Sequence, residues 1–150
     1  MNKFMAQALK QAQIAYKNGD IPVGAVIEKD GKIIARAYNQ KAKLNNPIKH
    51  AEIIAIEKAC KKLGDFRLEG CNIYVTKEPC VMCYGAILSA RIDKVYFGAY
   101  DKKYSISKLK DVMDFNHSVE MTGGIMEEEC SKILSEFFSE LRVEKCKHKH

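Results

Sequence analysis

The segment Tyr74-Val75-Thr76-Lys77-Glu78-Pro79-Cys80-Val81-Met82-Cys83 leads from a predicted strand directly into a predicted helix. The apolar run over 72–76 has the length and composition of a buried strand. Pro79 is suited to the start of a helix, which we predict over about 80–90. Cys80 and Cys83 are three positions apart, so both thiols lie on one side of the first helical turn. The positive end of the helix dipole at that turn favours the thiolate over the thiol.

A second motif, His50-Ala51-Glu52, stands thirty positions before Cys80 and opens another predicted helix, which ends at Gly64. One imidazole and two thiolates form a ligand set that suits zinc. Three protein ligands leave the fourth tetrahedral position to water, as in catalytic zinc sites. Glu52 lies on the same helical turn as His50, where its carboxylate can accept a proton from that water. We therefore predict one Zn²⁺ held by His50, Cys80 and Cys83, with Glu52 as the catalytic acid and base.

The cysteine pair has two other possible interpretations. Cys-x-x-Cys also occurs in redox proteins and in structural zinc sites. A redox pair would not need a histidine and a glutamate at the start of a second helix. A structural site needs a fourth ligand, for which the nearest candidates are His117, His148 and His150. The combination of His-x-Glu with Pro-Cys-x-x-Cys is the established signature of zinc-dependent nucleobase deaminases.

The rest of the chain alternates predicted strands and helices, with no internal repeat or linker. Hydrophobic periodicity predicts further helices over about 2–17 and 127–145, and further strands over 23–27, 32–38, 94–98 and 119–121. The turn at Asp30-Gly31 joins the first two of these strands into a hairpin. Four apolar residues are expected to form the buried stripe of the helix after His50: Ile53, Ile56, Cys60 and Leu63. With polar loops over 40–49 and 100–118, the pattern predicts a three-layer α/β/α sandwich around a central mixed sheet.

Length, charge and cysteine content narrow the class of protein. The 150 residues, 47% of them hydrophobic, suit a single domain over 1–150. A net charge of +6 weakly favours a polyanionic partner, and the basic tail 143–150 is expected to be a loose end or an RNA contact. With no signal peptide and no apolar run near the ~20 residues of a membrane span, we expect a cytoplasmic protein. Its six cysteines are then not expected to form disulfides.

The chain resembles the bacterial tRNA adenosine deaminases (TadA-type) of the zinc cytidine/deoxycytidylate deaminase superfamily. Beyond the two metal motifs, the resemblance lies in Ile21-Pro22-Val23-Gly24-Ala25-Val26, Asn39, Phe97-Gly98-Ala99, Asn116-His117, Gly124-Ile125 and Phe137-Phe138-x-x-Leu141-Arg142. It implies a cytidine deaminase-like fold and hydrolysis of the wobble adenosine of a tRNA anticodon stem-loop to inosine. It also implies a homodimer with one Zn²⁺ in each subunit.

The resemblance also implies which residues contact the substrate. Those expected around the flipped nucleoside are Asn39, Val23 and the backbone of Ala51. Those expected to contact neighbouring nucleotides are Asp101, Lys103, Phe138 and Arg142. Each has a simpler alternative: Asn39 is also a common strand-ending residue, and the two loop charges also suit a solvated surface. One helix face cannot bury both Phe137 and Phe138, so one ring is expected to be exposed for stacking or for a subunit interface.

The chain departs from the family pattern around the substrate. The segment 100–108 lacks the usual glycine, and Tyr100, Lys77 and Ser139 replace residue types common in the family. These changes leave room for a second hypothesis, a deaminase of a free nucleobase or nucleoside such as guanine or cytosine. A third hypothesis is a catalytically weak RNA-binding subunit, but such a subunit would often lack Glu52.

Overall fold

The computed structural model describes residues 1–109 and 118–148, which form a five-stranded sheet with helices on both faces. The helices are α1 (Lys3–Lys17), α2 (Lys41–Leu44), α3 (Ala51–Leu63), α4 (Val81–Ser89) and α5 (Glu127–His148), with a short 3-10 helix at Ile106–Lys108. The strands are β1 (Gly24–Lys29), β2 (Lys32–Tyr38), β3 (Cys71–Lys77), β4 (Lys94–Ala99) and β5 (Glu120–Thr122). None of these helices has the length and apolar composition of a membrane span.

The sheet is mixed and has the strand order β2-β1-β3-β4-β5. Strand β1 pairs antiparallel with β2 and β3, whereas β3, β4 and β5 are parallel. The predicted hairpin is present, and its turn places Asp30 at φ 53° and Gly31 at φ 81°. Such a turn with two positive φ angles matches the twist of the paired strands. The predicted mixed sheet is therefore confirmed.

Helices α1 and α5 pack on one face of the sheet, and α3 and α4 lie together on the other. Two glycines allow α1 and α5 to lie close to the sheet. A Cβ atom on Gly24 would collide with the backbone of α1 at Ala8, and one on Gly98 would collide with the Cys130 side chain of α5. The three layers thus agree with the predicted α/β/α sandwich.

Three local expectations were wrong. The buried apolar residues of α3 include Ala51, Ile54, Ala55 and Ala59, because small alanines let the helix lie close to the sheet. Of the expected stripe, Ile53, Ile56 and Cys60 are only partly buried and Leu63 is exposed. The predicted loop over 40–49 contains α2, whose Ala42 N–H donates to the buried Asp20 carboxylate at 2.9 Å. The basic segment 143–148 is not a separate loose tail, since it continues α5.

Candidate active site

The starts of α3 and α4 lie at the same edge of the sheet. Strand β2 leads through α2 to α3, and β3 leads directly to α4. His50 and Cys80 are the residues immediately before the two helices, and both have extended backbones, with ψ of 155° and 172°. Cys83 follows one turn into α4. The fold therefore brings together two motifs that are far apart in the sequence.

The side chains of His50, Cys80 and Cys83 form a compact cluster. Nδ1 of His50 lies 3.7 Å from Sγ of Cys80 and 3.5 Å from Sγ of Cys83, and all three candidate ligand atoms lie within 4.8 Å of one another. Within 1–109 and 118–148, this is the cluster that could hold a metal ion. One imidazole nitrogen and two sulfurs at this spacing fit zinc.

The two cysteines of the cluster differ in their proton affinity. Hydrogen bonds from Cys83 and His50 lower the pKa of Cys80 to about 4. The hydrogen bond with Cys80 and burial together raise the pKa of Cys83, and the hydrogen bond with Cys80 raises that of His50. Cys80 is consequently a thiolate near neutral pH, in the form that binds metal ions.

Glu52 lies on the first turn of α3 with only 4% of its surface exposed. Burial raises the pKa of its carboxyl group, since the charged form loses its hydration. A hydrogen bond with the Cys83 thiol acts in the opposite direction and lowers this pKa. A carboxyl group with a raised pKa next to a cluster of candidate metal ligands has the properties of a general acid and base.

A pocket opens in front of this cluster. Among the residues that the sequence singled out for the site, it is lined by Val23, Asn39, His50, Glu52, Cys80 and Asp101. Sequence reasoning did not assign four further lining residues to the site: Ile21, Lys41, Lys77 and Glu78. The sequence feature that could have identified Glu78 is its position two residues before Cys80. Lys41 stood in a segment that was predicted to be a loop.

Asn39 is buried between β2 and α3. Its Oδ1 accepts a hydrogen bond of 2.8 Å from the Ala51 N–H, and its own backbone N–H donates to the Val23 carbonyl at 3.0 Å. Asn39 is thus in direct contact with both of the other residues predicted to surround the nucleoside. Oδ1 accepts from Ala51, and the amide nitrogen is the side-chain group of Asn39 that can donate to a ligand.

The other predicted contact residues lie outside the pocket lining. Lys103 is exposed, and its ammonium lies 5.3 Å from the ring centroid of Tyr104. Phe138 and Arg142 are exposed one turn apart on α5. Phe137 packs edge-on against Tyr16 at 5.7 Å, which confirms that one of the adjacent phenylalanines is exposed. Of the other candidate ligands, His117 and His150 lie outside the described residues, as does Asn116, and His148 is the last residue of α5.

Comparison with known proteins identifies the family. The family model described as MafB19-like deaminase matches residues 1–142. A tRNA-specific adenosine deaminase of Bacillus subtilis (strain 168) is 47% identical over 146 residues, which cover 95% of this chain and 91% of the relative. This chain belongs to the tRNA-specific adenosine deaminase family. A solved structure of a tRNA:A34 deaminase, studied for A-to-I editing at the wobble position, is 40% identical with a TM-score of 0.83, and the match covers 87% of this chain and 98% of that one.

The tRNA-specific adenosine deaminase family shares its fold with deaminases of other bases. A solved guanine deaminase from Bacillus subtilis is 36% identical to this chain with a TM-score of 0.65, and the match covers 80% of this chain and 83% of that one. A fold that is common to enzymes with different substrates does not choose the base. The choice has to come from the side chains around the pocket.

Proposed function

We propose that this protein hydrolyses adenosine to inosine at the wobble position of tRNA anticodon loops in the cytoplasm, with one Zn²⁺ in each subunit. The observation that carries the proposal is the position of Glu52. Its buried carboxyl group lines the same pocket as His50, Cys80 and Asn39. One pocket therefore contains the group that donates and accepts protons, the metal-ligand candidates and the amide that would bind the base.

His50, Cys80 and Cys83 would hold the zinc ion. When bound, zinc lowers the pKa of water towards neutrality and so supplies a nucleophile at physiological pH. The ligand set supports this choice, since thiolate and imidazole ligands favour zinc over magnesium or calcium. The N-termini of α3 and α4 both lie at the candidate metal site, and their helix dipoles stabilise the thiolates further.

Glu52 moves the protons of the reaction. Its carboxylate accepts a proton from the attacking water and delivers it to the adenine ring nitrogen N1, which makes C6 more electrophilic. The water oxygen adds to C6. Glu52 then transfers the second proton of the water to the amino group, which leaves as ammonia, and the base becomes hypoxanthine. Burial raises the pKa of the carboxyl, which favours donation of a proton as well as its acceptance.

Val23, Asn39 and the backbone of Ala51 would hold the flipped nucleoside. The amide nitrogen of Asn39 donates to the nucleoside, while its oxygen stays bound to Ala51. Val23, with 6% of its surface exposed, provides an apolar wall for the base. A target in a loop enters such a pocket more easily than one in a duplex, because less stacking is lost.

Charges at the pocket favour a polynucleotide over a free base. Lys41 and Lys77 line the pocket together with the metal-ligand candidates, and Lys77 is also paired with the Asp101 carboxylate. A free nucleobase carries no charge for them to bind, whereas RNA has a phosphate on each side of the target nucleotide. Lys103, Phe138 and Arg142 are proposed to contact nucleotides further along the loop, by charge and by stacking.

The test is a substrate panel with the purified zinc-loaded protein. It contains an in vitro transcribed tRNA with a wobble adenosine, the same tRNA with guanosine at that position, and free guanine, cytosine and adenosine. We expect inosine in the first tRNA alone. Deamination of free guanine with an unchanged tRNA would instead support the hypothesis of a nucleobase deaminase, which agrees with the similarity to the guanine deaminase.

We also propose that the 150 residues form one deaminase domain and that two copies associate. Val81 and Met82, between the two cysteine ligands, are 49% and 38% exposed. Adjacent exposed apolar side chains are typical of a protein interface. Sedimentation analysis of the wild-type protein and a Val81→Ser variant tests this, with weaker association expected for the variant.

A further inference from the structure

Glu78 is a buried carboxylate between strand β3 and the metal-ligand candidate Cys80, and it lines the pocket with 3% of its surface exposed. Its Oε1 accepts a hydrogen bond of 3.0 Å from the Asp101 N–H, and its Oε2 accepts one of 2.8 Å from the Ser105 hydroxyl. Its backbone N–H donates to the Ala99 carbonyl at 2.8 Å. One residue thus contacts both ends of the segment 101–105, which we call the 101–105 loop.

Asp101 is the other organising residue of the 101–105 loop. Its Oδ1 accepts hydrogen bonds from the N–H groups of Lys103 at 2.9 Å and Tyr104 at 2.8 Å. Its Oδ2 lies 3.4 Å from the Lys77 ammonium. Lys77 therefore holds the side chain of Asp101, and the neighbouring Glu78 holds its backbone. The loop has its own internal turn, but its position at the pocket depends on these two residues of β3 and the turn after it.

Burial of a carboxylate is costly unless hydrogen-bond donors replace its water. A simple structural role for Glu78 would be support of the turn that presents Cys80. The two side-chain hydrogen bonds described above, however, both extend away from that turn to the 101–105 loop. Bonds to a charged acceptor are stronger than neutral ones and restrict geometry more closely. The arrangement therefore favours a role in placing the loop.

We propose that Glu78 is a positioning residue for the RNA substrate. It fixes the 101–105 loop beside the pocket, so that Asp101 meets the nucleotides that flank the target adenosine. This inference rests on the proposed function, and it deepens it by naming the residue that connects the metal-ligand turn to the substrate-binding loop. In this role Glu78 acts through the loop and not on the reacting atoms.

The test uses the full-length zinc-loaded protein and an RNA hairpin with a wobble adenosine. Glu78→Gln keeps the shape of the side chain and removes its charge. Ser105→Ala removes one donor from the loop side, away from the metal-ligand turn. We expect each change to raise KM and the directly measured Kd for the hairpin about tenfold, with kcat within about twofold and bound zinc unchanged. The exposed Ser89→Ala at the end of α4 is the matched control and should behave like the wild type.

The double variant provides a second measurement. If Glu78 acts through the loop, Glu78→Gln and Ser105→Ala affect the same contact, and their combined effect should be well below the product of the two single effects. If Glu78→Gln loses zinc or kcat while Ser105→Ala behaves like the wild type, the inference is overturned. Glu78 would then be assigned to support of the turn that presents Cys80. If Glu78→Gln does not fold, the Ser105→Ala variant decides by itself. KM and Kd values equal to those of the wild type would then overturn the inference. A wild-type protein without activity on the hairpin would overturn the proposed function itself.

Discussion

The side-chain oxygen of Asn39 accepts a hydrogen bond of 2.8 Å from the backbone N–H of Ala51, the first residue of α3. This N–H is one of the groups at a helix start that lack a partner within the helix. His50, directly before it, makes no side-chain capping bond, so Asn39 satisfies the helix from outside. One side chain therefore stabilises the helix that carries Glu52 and also lines the pocket.

Asn39→Asp separates these two roles. The aspartate keeps an oxygen for the Ala51 N–H and loses the amide nitrogen that can donate to a nucleoside. We expect kcat/KM for the tRNA to fall by at least about tenfold, since a buried polar contact to the substrate is lost. Asn39→Ala should in addition lower the free energy of unfolding by about 1–2 kcal/mol, measured by urea titration. Full activity in Asn39→Asp would exclude the amide nitrogen from substrate binding.

Glu52→Gln should retain zinc and lose turnover. The amide has the size of the carboxyl group but cannot accept and release the protons of the reaction. We expect kcat to fall by about 10²-fold or more, while metal content and hairpin affinity stay near wild type. Single-turnover kinetics and metal analysis measure both properties. Near-normal deamination would mean that another group carries the protons.

Cys83→Ser and His50→Ala should each abolish tight zinc binding. Removal of one of three protein ligands leaves a site that cannot compete with a chelator. We expect less than about one tenth of the wild-type zinc content after dialysis against a chelator. Cys146→Ala is the control, because Cys146 is an exposed thiol on α5. Equal zinc contents in all variants would argue against the His50, Cys80 and Cys83 cluster as the metal site.

Gly24→Ala should destabilise the protein more than a substitution at a glycine that has room for a Cβ atom. The new Cβ atom would collide with the carbonyl oxygen of Ala8 and meet the nitrogen of Ala12 at 2.5 Å, both backbone atoms of α1. We expect the free energy of unfolding to fall by about 1–3 kcal/mol or more, because the helix has to move. Gly85→Ala in α4 is the matched control, because its added Cβ would meet nothing within 4 Å apart from its chain neighbours and the backbone of its own helix. That change should be neutral or stabilising by up to about 1 kcal/mol.

The stability of the protein should decrease at high pH through Cys130. Burial raises the pKa of this thiol to about 12 in the folded protein, above the value of an unfolded cysteine. The folded state therefore keeps its proton more tightly, and this contribution is complete below about pH 8.5 and lost as the pH rises towards 12. In urea titrations between pH 7 and 10, the wild type should lose stability relative to Cys130→Ala. A constant difference between the two would contradict a buried neutral thiol.

Local patterns predicted most of the fold because each of them has a local physical cause. The hairpin depends on Asp30-Gly31, and α3 ends where Gly64 adopts a positive φ of 65°. The buried side of α3 was predicted wrongly, because periodicity selects the largest apolar residues whereas close packing on the sheet selects Ala55 and Ala59.

The site was predictable to a similar degree, and for a similar reason. The candidate ligand motifs are visible in the sequence because zinc chemistry restricts both residue type and spacing. The contacts of Glu78 join it to residues 23 and 27 positions later, and no short pattern contains such a relationship. Lys41 reaches the pocket only because α2 orders a segment that appeared to be a loop.

His50 and Cys80 both stand at the start of a helix without a side-chain capping bond. An ion held between them would act as a removable crosslink between two distant parts of the chain. Its departure should then loosen the first turns of α3 and α4 in concert, visible as faster amide hydrogen exchange there, while the exchange of the central strands changes little. The availability of the metal ion would thus determine how well ordered the first turns of α3 and α4 are, as well as the chemistry of the site.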